Sequence, residues 1–274
     1  MTEPPTLFAV SDLHVGYEAN RAVVAEIKPR TPHDWLIVAG DVGERAESIL
    51  ATLSELAGRF EQVIWAPGNH ELWTHPSDPL SLRGVERYQY LVDGCRAAGV
   101  LTPEDEYPVW PYAAEPVVIA PLFLLYDYSF LPPGVHTQAD ALALAYRTGV
   151  VCTDEKFLHP DPYPSRQDWC AARVAYSRRR LDQLDAATVL INHWPLTRLP
   201  TEVLRFPQFA QWCGTTATAD WHVHYRAAAV VYGHLHIPRV THEDGVRFDE
   251  VSLGYPREWQ PRQRRLDWPR PIQL

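Results

Sequence analysis

Short apolar runs alternate with amphipathic stretches across the first third of the chain. Leu7-Phe8-Ala9-Val10, Asp34 to Ala39 and Val63 to Ala66 read as buried strands. Between them, residues 18–27 suit a helix. Residues 44–56 place Ile49, Leu50, Leu53 and Leu56 on one helical face, with Gly58 as the stop. Strands separated by short helices predict a parallel sheet covered by helices, an α/β fold. In such sheets ligands gather beyond the carboxyl ends of the strands. Asp12, Asp41, Asn69 and His70 follow those three ends.

The pattern is less regular further on. Residues 81–98, 138–146 and 167–184 read as helices. Residues 117–126 (broken at Pro121), 188–191, 227–232, 239–242 and 246–252 read as strands. Residues 199–221, rich in Pro, Gly, Thr and Trp, form a long irregular segment, more often functional than packing in character. No repeat, low-complexity tract or linker divides the chain, so residues 1–274 are expected to form one domain with a substrate-covering loop around 199–221.

Composition then narrows the class. The 274 residues are 46% hydrophobic and 22% charged, which excludes bulk disorder. No apolar run approaches the roughly 20 residues of a membrane span, and the N-terminus lacks the basic and apolar regions of a signal peptide. Cys95, Cys152, Cys170 and Cys213 lie far apart without a CxxC pair, as expected of reduced thiols in a cytoplasmic protein. A net charge of −9 argues against nucleic acid as a partner.

The chemistry lies in five short signatures, each just past an apolar run: Asp12-Leu13-His14, Gly40-Asp41, Gly68-Asn69-His70, Asn192-His193 and Gly233-His234-Leu235-His236. Taken singly they are ordinary, since Asp commonly caps helices, Asn occupies turns and a lone His is usually a bonded core or surface residue. Five together, all at strand ends, make that reading untenable. Imidazole nitrogen mixed with carboxylate or amide oxygen, without thiolate, suits borderline divalent metals. The glycines are expected to permit tight turns and to leave room for a bulky ligand near the backbone.

In order and spacing, D-x-H, G-D, G-N-H-E, H and G-H-x-H resemble the calcineurin-like metallophosphoesterases, with every signature position matched from residue 12 to residue 236. The resemblance implies a four-layer α/β/β/α sandwich with two metal ions at the sheet edge. It assigns Asp12, His14 and His236 to one metal, Asn69, His193 and His234 to the other, and Asp41 to both. His70 would lie outside the ligand set and act as general acid toward the leaving alkoxide. The implied reaction is in-line attack on a phosphoester by a hydroxide that the metals share, with Mn or Fe as the expected ions and Zn as an alternative.

A closer resemblance rests on the segments DWLIVAGDVGER, VIWAPGNHELW, FLLYDYSF, WCGTTATADWH, VYGHLHIPR and EVSLGYPREW, spread over residues 7–259. These look like the actinobacterial phosphopantetheinyl hydrolases. That likeness implies a phosphodiesterase that removes 4′-phosphopantetheine from the serine of an acyl or peptidyl carrier protein. Trp212, Thr215, Thr216 and Tyr126 are then candidate substrate contacts, although ordinary burial explains such residues equally well. Arginines at 173, 178, 179 and 180, and at 257, 262, 264, 265 and 270, form two basic patches suited to steering an acidic carrier protein. Cys213 and the pair His222, His224 are expected to be structural. Alternatives are another metallophosphoesterase (a cyclic-nucleotide phosphodiesterase or a Ser/Thr protein phosphatase) and a non-catalytic scaffold. The scaffold is disfavoured, because no ligand position is missing.

Overall fold

Alternation within the strands sets the architecture. The computed structural model describes residues 3–261 and 268–274. Its first sheet joins β1 (Leu7–Val10), β2 (Trp35–Val38), β3 (Gln62–Trp65) and β4 (Val100–Leu101) in parallel. The second contains β5 (Val109–Trp110), β6 (Val117–Pro121), β7 (Ala187–Ile191), β8 (Ala227–Tyr232), β9 (Arg239–Glu243) and β10 (Val246–Glu250), in the order β5-β6-β7-β8-β10-β9. Here β6, β7, β8 and β10 are parallel, and the edge strands β5 and β9 are antiparallel to their neighbours. The last strand, β11 (Arg270–Pro271), returns to the first sheet, antiparallel to β1.

Leu7, Ala9, Ile37, Ala39, Ile64 and Ala66 of the first sheet share one buried cluster with Val117, Ile119, Val189, Ile191, Ala229 and Val231 of the second. Their neighbours along the strands, Phe8, Val10, Leu36, Val38, Val63 and Trp65, point the other way, into a separate cluster with helix residues such as Ile49, Leu53 and Leu56. Because side chains alternate across a strand, each sheet is apolar on both faces. The sheets therefore pack face to face with helices outside, the four-layer α/β/β/α sandwich that the motifs imply.

The predicted helices appear at Ala46–Ala57, Gly84–Ala97, Gln138–Arg147 and Arg166–Leu181. Two expectations change. The strand expected over 117–126 stops at Pro121, and residues 122–126 continue as buried irregular chain that turns at Leu125 (φ 62°). Residues 199–221 hold three 3-10 helices, Leu199–Val203, Pro207–Trp212 and Thr216–Thr218, in place of the irregular loop expected. Among the described residues no helix is long and apolar enough to cross a membrane. All four cysteines are free and buried. Cys213 is fully buried, which pushes its thiol well above the usual range and disfavours the thiolate.

The two sheets also meet at one edge. A parallel bridge joins Ser11 to Ser252, and the N–H groups of Leu253 and Gly254 donate to the carbonyls of Ser11 and Asp12 at 2.9 and 3.1 Å. This seam brings the loops after β1, β2, β3, β7, β8 and β10 together.

Candidate active site

The loop conformations are unusual. Asp12, His14, Asp41, His234 and His236 have φ of 54°, 41°, 55°, 69° and 54°. A non-glycine residue in this region costs on the order of 1–3 kcal/mol and persists where neighbouring bonds impose it. Here they do: the N–H of Asp12 donates to Gly40, that of His14 to Asp41, and that of His234 to the Asp12 carboxylate. Left-handed turns, rather than extended chain, let residues i and i+2 face the same side.

Gly40 makes the expected tight turn (φ 86°), whereas Gly68 and Gly233 serve a different purpose. A methyl group at Gly68 would overlap the Asp41 carboxylate, and one at Gly233 would overlap that of Asp12. The space they leave belongs to the neighbouring carboxylates of the cluster.

Two groups of donors converge. In the first, Nε2 of His236 lies 3.0 Å from Asp12 Oδ1 and 3.2 Å from Nε2 of His14. In the second, Asn69 Oδ1 lies 3.2 Å from Nε2 of His193 and 3.1 Å from Nδ1 of His234. Asp41 Oδ2 stands 3.3 Å from Nε2 of His193 and 3.8 Å from Nε2 of His70. Among the described residues, the triads Asp12–His14–His236, His14–Asp41–His70 and Asp12–Asp41–His193 each have donor atoms within 4.8 Å of one another. All the residues named from the five signatures thus meet in one buried cluster, His70 included.

The ring orientations are fixed from outside. His193 Nδ1–H donates to the carbonyl of Ala39 at 2.8 Å, and His236 Nδ1–H to Glu258 Oε2 at 2.8 Å. In both rings Nε2 is left to face the cluster, the tautomer that a metal requires. His234 Nε2 is buried without a hydrogen-bond partner. Seryl hydroxyls of 11 and 252 donate to Asp12 Oδ2 at 2.6 and 2.7 Å. Glu71 accepts the N–H groups of Asp41, Val42 and Gly68.

Electrostatics follow the crowding. Burial alone would raise the carboxyls of Asp12 and Asp41, but His236 beside the first and His193 beside the second hold both well below the usual range. Burial opposes charge on His193 as well, yet Asp41 and Asp12 lift it to about 9. His234 is pushed down to about 3 by burial and then by His193. Glu71 is raised to about 7, by burial first and Asp41 second. Nitrogen and oxygen donors without thiolate, oriented by outer hydrogen bonds, fit borderline divalent cations.

Sequence reasoning missed several residues around the cluster. Glu44 Oε1 lies 2.9 Å from Nδ1 of His70. Tyr255 stacks on His14 at 4.5 Å between ring centroids and meets His236 edge-on. Phe209 stacks on His234 at 5.8 Å. Asp154 accepts the Asn69 amide. Glu44 and Tyr255 lie within the quoted segments DWLIVAGDVGER and EVSLGYPREW, the signal that could have found them, whereas Asp154 and Phe209 owe their places to tertiary packing.

The four candidate substrate contacts differ in burial and bonding. Trp212 is fully buried, and its indole N–H donates to Glu155 at 2.8 Å. Thr215 is buried and donates to Asp127. Tyr126 is fully buried against Tyr128 and Trp194, and Thr216 is exposed. The basic patches are also partly internal. Arg173 pairs with Glu104 and covers the Phe123 ring, and Arg180 covers Tyr107. Arg178, Arg179 and Arg257 are exposed, and Arg270 faces Asp249. Positions 262, 264 and 265 lie outside the described residues. His222 is buried and bonded to Asp244.

Comparison with known proteins agrees with this geometry. The model of the calcineurin-like phosphoesterase family matches residues 5–238. The acyl-carrier-protein phosphodiesterase PptH of Mycobacterium tuberculosis H37Rv is 54% identical over 270 residues, covering 98% of this chain and 83% of that protein. The crystal structure of phosphopantetheinyl hydrolase PptH from M. tuberculosis superposes with a TM-score of 0.96 at 53% identity, covering 99% of this chain and 97% of that one. With the family model spanning most of its length and the signature side chains gathered at one sheet edge, the chain belongs to the calcineurin-like phosphoesterase family.

Proposed function

We propose that this protein is a metal-dependent phosphodiesterase that cleaves the bond between 4′-phosphopantetheine and a carrier-protein serine. The observation that carries this reading is 54% identity to an acyl-carrier-protein phosphodiesterase over 98% of the chain. The same fold hosts many phosphoester substrates, so likeness of fold alone would not have sufficed.

In this reading Asp12, His14 and His236 would hold one divalent cation, Asn69, His193 and His234 would hold a second, and Asp41 would contribute to both. Mn and Fe best suit this nitrogen and oxygen set. Two such cations supply Lewis-acid polarisation of the phosphoryl group and lower the pKa of an attacking water. The chain's own residues do the rest. Outer bonds from Ala39 and Glu258 keep the ligating nitrogens aimed inward. Asp12 and Asp41 reduce the net positive charge that an anionic diester meets. His70, tied to Glu44 through Nδ1, presents Nε2 on the Asp41 side, where it donates a proton to the departing serine oxygen.

Mass spectrometry of holo carrier protein incubated with the Mn-loaded enzyme tests this reading. The expected product is apo carrier protein with an unmodified serine, formed only with metal and abolished by prolonged chelation. Intact holo carrier protein alongside rapid cleavage of cyclic nucleotides or phosphoproteins would overturn the substrate. Full turnover in a verified metal-free sample would overturn the metal chemistry.

A further inference from the structure

Asp154 has no place in the five signatures, yet it is completely buried beneath the loop that carries Asn69 and His70. It opens the short helix Asp154–Phe157. Its Oδ1 accepts two hydrogen bonds, from Asn69 Nδ2 at 2.9 Å and from the indole N–H of Trp73 at 2.6 Å. The first bond decides which end of the Asn69 amide faces the cluster: with Nδ2 held by the carboxylate, Oδ1 points to His193 and His234. The second bond fixes the Trp73 ring, which lies against His70 with ring centroids 3.6 Å apart. The helix itself is strapped down. Arg166 donates to the carbonyls of Asp154 and Leu158, and the N–H of Thr74 donates to Phe157.

From this we infer that Asp154 is a positioning residue, one carboxylate oxygen that holds Asn69 toward a metal and, through Trp73, holds His70 toward the leaving group. The inference rests on the proposed assignment of Asn69 as a metal ligand. An asparagine ligates only through its oxygen, so an amide free to rotate would present nitrogen half the time. Groups that orient metal ligands in this way typically contribute about 10–100-fold to metal affinity.

The test uses the full chain as wild type, Asp154→Ala and Asp154→Asn, titrated with Mn(II) and read by calorimetry and by the paramagnetic resonance signal of a coupled Mn pair. Wild type is expected to bind two ions. Asp154→Ala should bind the second about 10–100-fold more weakly and lose the coupled signal. Asp154→Asn, which keeps an acceptor oxygen, should restore most of both. A folded Asp154→Ala protein that binds two ions with wild-type affinity overturns the inference. If that variant does not fold, Asp154→Ser carries the same expectation and the same overturning result. Wild type that binds fewer than two ions overturns instead the metal assignment beneath it.

Discussion

Glu44 Oε1 stands 2.9 Å from Nδ1 of His70, and the opposite nitrogen of the same ring faces the Asp41 carboxylate at 3.8 Å. The contact fixes the tautomer and aim of His70 without placing Glu44 on the substrate. Burial disfavours a charged imidazole, but Asp41 and then Glu44 outweigh it and hold His70 above its ordinary pKa. A ring aimed by Glu44, with its opposite nitrogen free to carry the proton, is what a general acid requires.

His70→Ala should therefore lower kcat on holo carrier protein by about 10²–10⁴-fold while metal content stays at the wild-type level. The loss should shrink on aryl diesters, whose leaving groups need little protonation. Glu44→Gln should show the same dependence on leaving group with a smaller loss. Kinetics on a series of phenolic diesters checks this, and an equal loss across the series would count against the acid role.

Trp212 and Phe209 should separate stability from turnover. Trp212 is buried and bonded to Glu155, so Trp212→Ala should cost about 3–5 kcal/mol of stability. Phe209 is half-buried against His234, at the edge of the cluster. Phe209→Ala should keep the urea midpoint near wild type and change kcat/KM. Chemical denaturation and steady-state assays of both variants decide the matter; loss of turnover with native stability in Trp212→Ala would show instead that Trp212 acts on the substrate.

Acid stability should depend on Asp34. Burial alone would raise its carboxyl, but the N–H groups of Thr31, Thr6 and Arg30 and the Thr31 hydroxyl all donate to it and hold it below the usual value. A carboxyl depressed in the folded state stabilises above its unfolded pKa of about 3.9 and ceases to do so as the pH falls through the folded value. Asp34→Asn should lose about 1–3 kcal/mol at pH 7. Urea midpoints measured down the acid range should show the gap to wild type closing below about pH 4. A gap that is constant with pH would mean that the carboxylate charge plays no part.

Legibility divides along physical lines. Asp12, His14, Asp41, Asn69, His70, His193, His234 and His236 were readable because each follows an apolar run, and a strand end fixes where the next few residues sit. Inward and outward faces were equally plain at Phe8 and Ala9, since a period of two assigns them before any contact is known. Trp212 was less legible, for the opposite reason. An aromatic in a Pro- and Gly-rich stretch has no periodicity, and its burial depends on Glu155, 57 residues away.

The sequence by itself determined the strands that lead into the five signatures, their order, and which side chains end them. Tertiary structure alone decided what those side chains can do. Asn69 owes its orientation to Asp154 across 85 residues, Asp12 meets Ser252 across 240, and Glu258 turns the ring of His236. Periodicity is a property of neighbours along the chain, whereas the aim of a polar group is set by whichever partner the fold places against it. That partner leaves no mark at the residue it orients.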